Sequence, residues 1–196
     1  INQSNTPTEF VNPMKLCLSL NEHIQEGDII VSDGGAVVAT ASYILQPRSF
    51  IGWLDPGVFG TLGVGAGFIL DAKLTNPDSV VWAIYGDGAF GYSLMEFDTF
   101  VRHKIPVIAV IGNDAGWTQI ARDQVHMLGS AVSTKLAPTE YHKAVEALGG
   151  IGYFIEEENQ IDEVLTQSKE SAQSGKPTVV NVRIGKTDFR KGSLSM

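Results

Sequence analysis

Cysteine is nearly absent from this chain, which has one in 196 residues. A single thiol cannot close an internal disulfide, so a disulfide-stabilised secreted scaffold is excluded. The one cysteine, Cys17, lies in the apolar run from Met14 to Leu18. We therefore interpret Cys17 as a small buried hydrophobic residue rather than as a nucleophile.

Positive charge is also scarce, because 14 Lys and Arg residues stand against 22 Asp and Glu, a formal net charge of -8. No basic stripe or cluster of Lys and Arg appears, so we expect no nucleic-acid partner. An anionic ligand would have to be attracted by local features rather than by the overall field. Charged residues make up only 18% of the chain, which indicates that other domains or subunits cover part of its surface.

Long apolar runs are missing as well. No stretch could span a bilayer, so we expect this chain by itself to be soluble. No signal peptide is visible, and the chain opens on Ile1 rather than Met, which we interpret as a piece of a larger protein. Residues 1–10 are polar and are expected to be a linker or a disordered start. Residues 11–196 have the length and the apolar content of one α/β domain.

Short runs that are apolar throughout alternate with segments of helical pattern. The runs at 28–33, 80–85 and 106–111 predict buried strands, and further strands are predicted near 152–155 and 178–184. Helices are predicted at 11–24, 37–45, 61–74, 93–103, 115–128, 141–148 and 161–172, and residues 47–60 are predicted to be a loop. Strands that are apolar on both faces predict an α/β fold in which a parallel sheet is flanked by helices on both faces.

Three of the predicted strands end in polar or glycine-rich turns. These turns are Asp33-Gly34-Gly35, Gly86-Asp87-Gly88 and Gly112-Asn113-Asp114. Ligands of parallel sheets bind beyond the carboxyl ends of the strands, so these three turns predict the binding site.

The turn Gly86-Asp87-Gly88-Ala89 suits the binding of a phosphate and a cation. Its glycines allow the backbone to approach a ligand closely, with the N–H groups pointing at the ligand. The N-terminus of the following helix favours an anion. The Asp87 carboxylate supplies a hard oxygen ligand. Taken alone, Gly86-Asp87-Gly88 is weak evidence, because such a sequence is more often an ordinary turn.

The turn Asn113-Asp114-Ala115-Gly116 follows the next strand of the chain. A strand–helix–strand unit brings it beside Asp87 at the same edge of the sheet, where Asp87 and Asp114 could share one cation. Mg²⁺ prefers one or two carboxylates together with phosphate oxygens. A diphosphate could not lie against two aspartates without such an ion, so phosphate binding here requires a divalent metal.

The motif Gly-Asp-Gly, followed by a helix, a strand and an Asn-Asn type pair, resembles the signature of the thiamine diphosphate (ThDP) enzymes. In this chain it runs from Gly86-Asp87-Gly88 to Asn113-Asp114. The resemblance is to the acetolactate synthase-like and 2-hydroxyacyl-CoA lyase branch, and it covers nearly the whole chain from Asp28 onward. It is carried by WLDPGVFGTLGVGAGF, EFDTFVRHKIPV, GNDAGWTQI and GKTDFRKGS. It implies that residues 11–196 are the domain that binds the diphosphate of ThDP and Mg²⁺, within a larger three-domain enzyme.

The resemblance also implies a metal-ligand set. Asp87, Asp114 and the backbone carbonyl of Gly116 would hold Mg²⁺, and Asn113 ranks below them as a ligand. The family usually has asparagine where this chain has Asp114. Both side chains offer oxygen, but the extra charge is expected to make diphosphate binding depend more sharply on the metal.

The cofactor-binding residues that the resemblance implies are Gly34, Gly35, Gly60, Thr61, Leu62, Gly86, Asp87, Gly88, Ala89, Asp114 and Gly116. Leu62 would wedge between the two rings of ThDP and hold the bent conformer, in which the cofactor's amino group generates the ylid at the thiazolium C2. A core leucine is the alternative for Leu62, and a tight turn is the alternative for Gly34 and Gly35. The glycine run Gly63–Gly67 could suggest a dinucleotide fingerprint, but it does not directly follow a predicted strand.

Other polar residues are weaker candidates. Trp117 and Gln119 follow the predicted metal turn and are candidates for lining the pocket, and His126 for reaching a substrate. The four histidines lack the spacing of metal ligands.

This chain is expected to contain no catalytic residue of its own. The glutamate that activates ThDP in such enzymes comes from a separate pyrimidine-binding domain, and nothing here resembles that domain. We therefore expect the isolated chain to be inactive. The resemblance implies a homodimeric or homotetrameric full-length enzyme, held in the endoplasmic reticulum membrane by an anchor outside this chain.

The favoured function of the full-length protein is cleavage of a 2-hydroxyacyl-CoA to an aldehyde and formyl-CoA. Acetolactate synthase-type decarboxylation and ligation of pyruvate, a 2-keto acid, is the alternative reaction. A non-catalytic assembly module that retains the fold is an alternative of another class. A dinucleotide-binding oxidoreductase ranks last, because no βαβ unit that begins with a glycine fingerprint can be placed.

Overall fold

A computed structural model describes residues 2–189 of the chain. Residue 1 and residues 190–196, which include the end of the tail motif GKTDFRKGS and of the predicted domain, lie outside the described residues.

Strands and helices alternate along the described residues. The strands are β1 Ile29–Asp33, β2 Trp53–Leu54, β3 Val81–Gly86, β4 Ile108–Asn113, β5 Ile151–Ile155 and β6 Thr178–Arg183. The α-helices are α1 Pro13–His23, α2 Ala36–Ile44, α3 Gly65–Thr75, α4 Asp87–Ser93, α5 Glu96–Arg102, α6 Thr118–Leu128, α7 Tyr141–Ala147 and α8 Ile161–Gln173. Short 3₁₀-helices span Asn2–Asn5, Gly57–Phe59 and Glu158–Gln160.

The strands form one parallel sheet in the order β2-β1-β3-β4-β6-β5. Asp33 is in register with Tyr85, and Gly86 is in register with Gly112, so the turns after β1, β3 and β4 lie side by side. The chain runs from β1 outward to β2 and then returns to β3 on the other side of β1. The gap between β1 and β3 is therefore the switch point at which sheets of this kind bind ligands.

Helices cover both faces of the sheet. On one face α1, α2 and α8 pack on side chains that alternate along the central strands, such as Ile30, Trp82 and Val110. On the other face α3, α4, α5 and α7 pack on the intervening side chains, such as Val31 and Ala83. The central strands β1, β3 and β4 are buried on both faces, which confirms the predicted parallel sheet flanked by helices on both faces.

Helix boundaries near the predicted site differ from the sequence expectation. The helix after β3 begins at Asp87 itself and is divided at Leu94 and Met95 into α4 and α5. Helix α3 begins only at Gly65, because Gly63 has a positive φ of 86° that a helix does not accept. The predicted loop 47–60 contains the two-residue edge strand β2. These differences come from tertiary contacts that the apolar pattern does not record.

Residues near the start of the chain make contacts with α1. The side chain of Asn12 caps α1 by accepting from the Met14 N–H at 2.9 Å, and it donates to the Gln3 and Thr6 carbonyls at 3.1 and 3.0 Å. Val11 forms a parallel bridge with Ile184. The domain boundary at residue 10 remains a prediction. Within residues 2–189, no helix is both long and apolar enough to cross a membrane.

Candidate functional site

Two glycine turns touch each other at the switch point between β1 and β3. The Gly86 N–H donates to the Gly34 carbonyl at 2.8 Å. A Cβ on Gly35 would lie 2.8 Å from the Gly86 Cα, and Gly34 and Gly35 both have positive φ values of 64° and 95°. Any side chain would separate the two turns, so glycine is required for their contact.

The N-terminus of α2 opens onto these turns. Gly35 is its N-cap residue and provides no side-chain cap. The first N–H groups of a helix have no partner within the helix, and together with the helix dipole they favour an anion. Gly34, Gly35 and the first turn of α2 thus form a cradle that suits a phosphate group.

Asp87 is the buried carboxylate of the site, with a 3% exposed surface. Its carboxylate accepts from the Gly88 N–H at 2.9 Å and from the Gly116 N–H at 3.0 Å. Its backbone carbonyl accepts from the Tyr141 hydroxyl at 2.9 Å. Burial and the nearby charge of Asp114 raise the pKa of Asp87 to about 6, from an ordinary value of 3.8.

Asp114 follows β4 and begins the turn that returns to Asp87. Burial raises the pKa of Asp114, and a hydrogen bond from Thr118 together with the charge of Lys186 opposes this rise. Ala115 has a φ of 54°, in the left-handed region, and this sharp turn brings the Gly116 N–H to the Asp87 carboxylate.

The side chain of Asn113 stabilises the turn that follows β4. Its side-chain oxygen accepts from the Ala115 N–H at 3.2 Å, and its amide donates to the Thr139 carbonyl at 3.0 Å and to the Asn181 side-chain oxygen at 3.2 Å. These bonds occupy both ends of the buried amide. Asn113 therefore holds the turn in shape, a role that the sequence did not indicate.

The oxygen atoms of this turn fit a hard divalent cation. Two carboxylates from neighbouring strand exits, Asp87 and Asp114, lie close enough for the charge of one to raise the pKa of the other. A shared cation would remove that repulsion, and Mg²⁺ accepts such oxygen ligands. Within residues 2–189 no group of three His, Cys, Asp or Glu residues could hold a metal. A metal here would need backbone and phosphate oxygens as well.

Leu62 lies over the first glycine turn. A Cβ on Gly34 would overlap the Leu62 Cδ2 atom and lie 3.0 Å from the Ala89 Cβ, so Gly34 is enclosed by these two side chains. Leu62 remains 37% exposed, in contrast to a core leucine. The neighbouring Gly60 and Thr61 are exposed, and Gly60 ends the 3₁₀-helix Gly57–Phe59 with a φ of 56°.

The weaker candidates lie around the same edge of the sheet. A Cβ on Gly88 would overlap the Trp117 ring, and the Trp117 and Tyr92 rings are 6.4 Å apart. Gln119 is in the first turn of α6, whereas His126 is exposed in its last turn. The run Gly63–Gly67 spans the start of α3 at Gly65 and does not directly follow a strand, as the sequence indicated.

Sequence reasoning placed Asp33 in one of the three turns without giving it a role, and it missed Tyr141. Asp33 is fully buried and accepts from the Gly63 and Gly65 N–H groups at 2.9 and 2.8 Å. Tyr141 reaches the Asp87 carbonyl from α7, 54 residues away in sequence. The position of Asp33 at the end of an apolar strand was the sequence signal that could have indicated its role. No sequence signal indicated the contact of Tyr141 with Asp87.

A doubly wound parallel sheet with this edge belongs to the class of α/β domains that bind phosphorylated ligands beyond the carboxyl ends of their strands. The particular family follows from comparison with known proteins. The model of the thiamine pyrophosphate enzyme C-terminal TPP binding domain matches residues 33–182. The chain belongs to this family, and thiamine pyrophosphate is another name for ThDP.

Curated relatives agree with this assignment. The chain is 56% identical over 190 residues to 2-hydroxyacyl-CoA lyase 2 of Bos taurus and 54% identical to that of Homo sapiens, in each case over 96% of the chain. It is 36% identical over 173 residues to the probable acetolactate synthase of Mycobacterium bovis, over 88% of the chain. The chain spans about a third of the length of these relatives, 30% of the lyases and 31% of the synthase.

Solved structures share the fold. The chain superimposes with a TM-score of 0.81 on the thiamine diphosphate-dependent 4-hydroxybenzoylformate decarboxylase of Rhodococcus jostii RHA1, at 19% identity, over 93% of this chain and 34% of that one. The benzoylformate decarboxylase of Polynucleobacter necessarius gives the same TM-score at 17% identity, over 94% of this chain and 34% of that one.

Proposed function

We propose that this chain binds the diphosphate of ThDP together with Mg²⁺, as part of a longer enzyme that cleaves a 2-hydroxyacyl-CoA to an aldehyde and formyl-CoA. One observation carries the proposal. The buried Asp87 carboxylate accepts the Gly116 N–H at 3.0 Å and is close enough to Asp114 to feel its charge. The exits of β3 and β4 thus bring two interacting carboxylates to the same edge of the sheet.

The residues of this edge divide into two groups in the proposed complex. Asp87, Asp114 and the Gly116 carbonyl hold the metal, and Asn113 keeps the turn in shape. The cradle formed by Gly34, Gly35 and the first turn of α2 holds the diphosphate, helped by the backbone of Gly86, Gly88 and Ala89. The metal neutralises the charge that diphosphate and carboxylates would otherwise bring together.

Leu62 is the proposed support of the bent cofactor, with Gly60 and Thr61 as its backbone neighbours. The Leu62 side chain is 37% exposed and lies over Gly34 of the phosphate cradle. The cofactor supplies a carbanion nucleophile for the carbonyl group of the substrate, and the protein supplies placement and electrostatics.

A cofactor titration on the full-length protein tests this part of the proposal. We expect calorimetry to give ThDP binding in the presence of Mg²⁺ and a large loss of affinity when the metal is chelated. An unchanged ThDP affinity after chelation of the metal would contradict the proposed metal site. Absence of ThDP binding under all conditions would instead favour a non-catalytic assembly module with the same fold.

The substrate proposal is supported by the names of two relatives at 56% and 54% identity, which are 2-hydroxyacyl-CoA lyases, whereas a probable acetolactate synthase stands at 36%. The decisive assay incubates full-length protein with each substrate in turn. Formyl-CoA is measured after addition of a 2-hydroxyacyl-CoA, and acetolactate is measured after addition of pyruvate. Formyl-CoA release is the expected result. Turnover of pyruvate alone would select the acetolactate synthase reaction.

The rest of the enzyme is proposed to complete the site. Val58 and Phe59 are 97% and 87% exposed beside Leu62, and Met127 and Leu128 are each 72% exposed at the end of α6. Apolar side chains of this size suit burial against another domain or subunit. We propose a homodimer or homotetramer in which a neighbouring pyrimidine-binding domain contributes the activating glutamate, so that the isolated chain is inactive. Light scattering and an assay of the isolated chain test these points.

Localisation in the endoplasmic reticulum membrane belongs to the same proposal, since it follows from the resemblance to this branch of ThDP enzymes. Fractionation of cells that express the full-length protein would test it. Recovery in the supernatant without detergent would contradict it.

A further inference from the structure

Asp33 is a buried carboxylate that holds a distant part of the chain. It is the last residue of β1 and is 0% exposed. One oxygen accepts from the Gly65 N–H at 2.8 Å, and the two oxygens share the Gly63 N–H at 2.9 and 3.3 Å. Among the ion pairs of residues 2–189, none involves Asp33. A buried carboxylate loses its hydration, which is costly. At Asp33 the N–H groups of Gly63 and Gly65 compensate for this loss.

The glycines that Asp33 contacts are required by that contact. A Cβ on Gly65 would lie 2.8 Å from the Asp33 Cβ and 2.6 Å from the Tyr85 hydroxyl. Gly63 has a φ of 86°, which side chains rarely adopt. Gly67, two residues further on, has nothing within 4 Å of a built Cβ. The first two glycines of the run therefore serve the carboxylate rather than a dinucleotide.

The segment fastened by Asp33 carries Leu62. The preceding residues are exposed, and built Cβ atoms on Gly57 and Gly60 meet nothing within 4 Å. Leu62 reaches back over Gly34, the residue that follows Asp33. The hydrogen bond to Gly63 thus fixes the residue next to Leu62 against the strand end beneath it.

We propose that Asp33 is a positioning residue, which holds the Gly63–Gly65 turn so that Leu62 stays in place above Gly34 to support the bent conformation of ThDP. This inference rests on the proposed function, because Leu62 matters only if ThDP binds at this edge. Asp33 itself does not touch the cofactor and acts through Leu62.

The test is a double-mutant cycle on full-length protein loaded with ThDP and Mg²⁺. The variants are Asp33→Asn, Leu62→Ala and the two combined. NMR after acid quench gives the rate of hydrogen–deuterium exchange at the thiazolium C2 without any substrate. The asparagine oxygen can still accept from both Gly63 and Gly65, but these two bonds lose their charge assistance and the amide group turns a donor toward the Gly63 N–H, so exchange slows about tenfold.

Non-additivity is the expected signature. If Asp33 acts through Leu62, the combined variant exchanges no more slowly than Leu62→Ala alone. Should Asp33→Asn fail to fold, Asp33→Glu keeps the carboxylate and displaces the turn by one methylene group. The same non-additivity with Leu62→Ala is expected for it.

Asp28→Asn is the matched control, because Asp28 precedes the same strand at its other end and is also buried. It accepts from the Gln25 N–H and the Trp82 indole N–H, both at 3.0 Å. We expect this variant to lose stability and to keep the wild-type exchange rate. Equal slowing by Asp28→Asn would show a general loss of fold.

Two failures can be told apart. If wild-type protein binds no ThDP, the proposed function is wrong. If wild-type protein binds and exchanges normally, the inference is overturned by an Asp33 variant with wild-type exchange. It is equally overturned by effects of Asp33 and Leu62 that multiply.

Discussion

The two ends of strand β1 carry buried aspartates in opposite surroundings. At the amino end, Asp28 accepts from the Trp82 indole at 3.0 Å and lies 3.8 Å from the Lys169 ammonium group. At the carboxyl end, Asp33 is held by backbone N–H groups, and burial raises its pKa. Asp87, one strand away at that end, also has a raised pKa.

The difference lies in how the negative charge is compensated. Asp28 has a cation and an indole donor nearby. Asp33 and Asp87 have backbone N–H donors in place of a cation, so burial raises the pKa of both carboxyl groups. The edge with unbalanced acidic groups is the edge where the switch point of the sheet independently predicts a ligand.

The largest expected effect comes from removing Asp87, the proposed metal ligand. Asp87→Ala in full-length protein should weaken Mg²⁺-dependent ThDP binding about 100-fold, since the metal that would neutralise the diphosphate loses a carboxylate ligand. Calorimetry with and without Mg²⁺ measures this change. Asp28→Asn, at the other end of the sheet, should bind as the wild type does. Similar losses in both variants would remove the contrast between the two edges.

The second prediction compares two glycines of one helix. Gly65→Ala should lower the unfolding free energy by about 2 kcal/mol, because the new methyl group meets Asp33 and the Tyr85 hydroxyl. Gly67→Ala meets nothing within 4 Å and should raise it by up to about 1 kcal/mol through helix propensity. Urea denaturation of the two full-length variants measures the difference. Equal effects would mean that the Asp33 contact does not constrain α3.

A smaller effect is expected from removing the Tyr141 hydroxyl, which donates to the backbone carbonyl of Asp87. Tyr141→Phe keeps the ring that packs 5.1 Å from the Phe90 ring and removes the hydroxyl that donates to the Asp87 carbonyl. The loss should be about 1 kcal/mol of stability. Urea denaturation is again the measurement, with Tyr153→Phe as control, since its hydroxyl bonds Ser171 away from this edge. A larger loss for the control would contradict the assignment.

The smallest effect concerns the charge of Asp114 in metal-free protein. The pKa of Asp87 is about 6 in the folded chain and 3.8 ordinarily, so the folded state binds the extra proton between these values. The contribution of Asp87 to stability therefore falls as the pH rises through about 6. Asp114→Asn removes one cause of this shift.

Thermal unfolding in chelator at pH 5 and pH 8 tests the point. The Asp114→Asn variant should lose less stability between these pH values than the wild type, by about 0.5 kcal/mol. With Mg²⁺ present, its ThDP affinity should depend less on the metal. An unchanged pH slope would mean that the two carboxylates do not interact.

The sequence predicted the sheet and the three neighbouring turns of the candidate site because both depend on local patterns. Apolar runs located the long strands, and glycines beside Asp87 located the turn. The start of α3 and the anchoring role of Asp33 depend on contacts made across 30 to 32 residues of sequence, which no local pattern carries. The edge strand β2 has only two residues, too few for a period to appear. The supporting role of Asn113 depends on Asn181, which arrives from β6.

The central claim is that Asp87 and Asp114 hold one metal ion together. The most direct test is a crystal structure of the full-length protein with ThDP and Mn²⁺ in place of Mg²⁺, in which anomalous scattering locates the metal. We predict one peak about 2.1 Å from a carboxylate oxygen of both aspartates and from the Gly116 carbonyl oxygen. A peak that contacts only one of the two aspartates, or that lies away from the exits of β3 and β4, would contradict the claim.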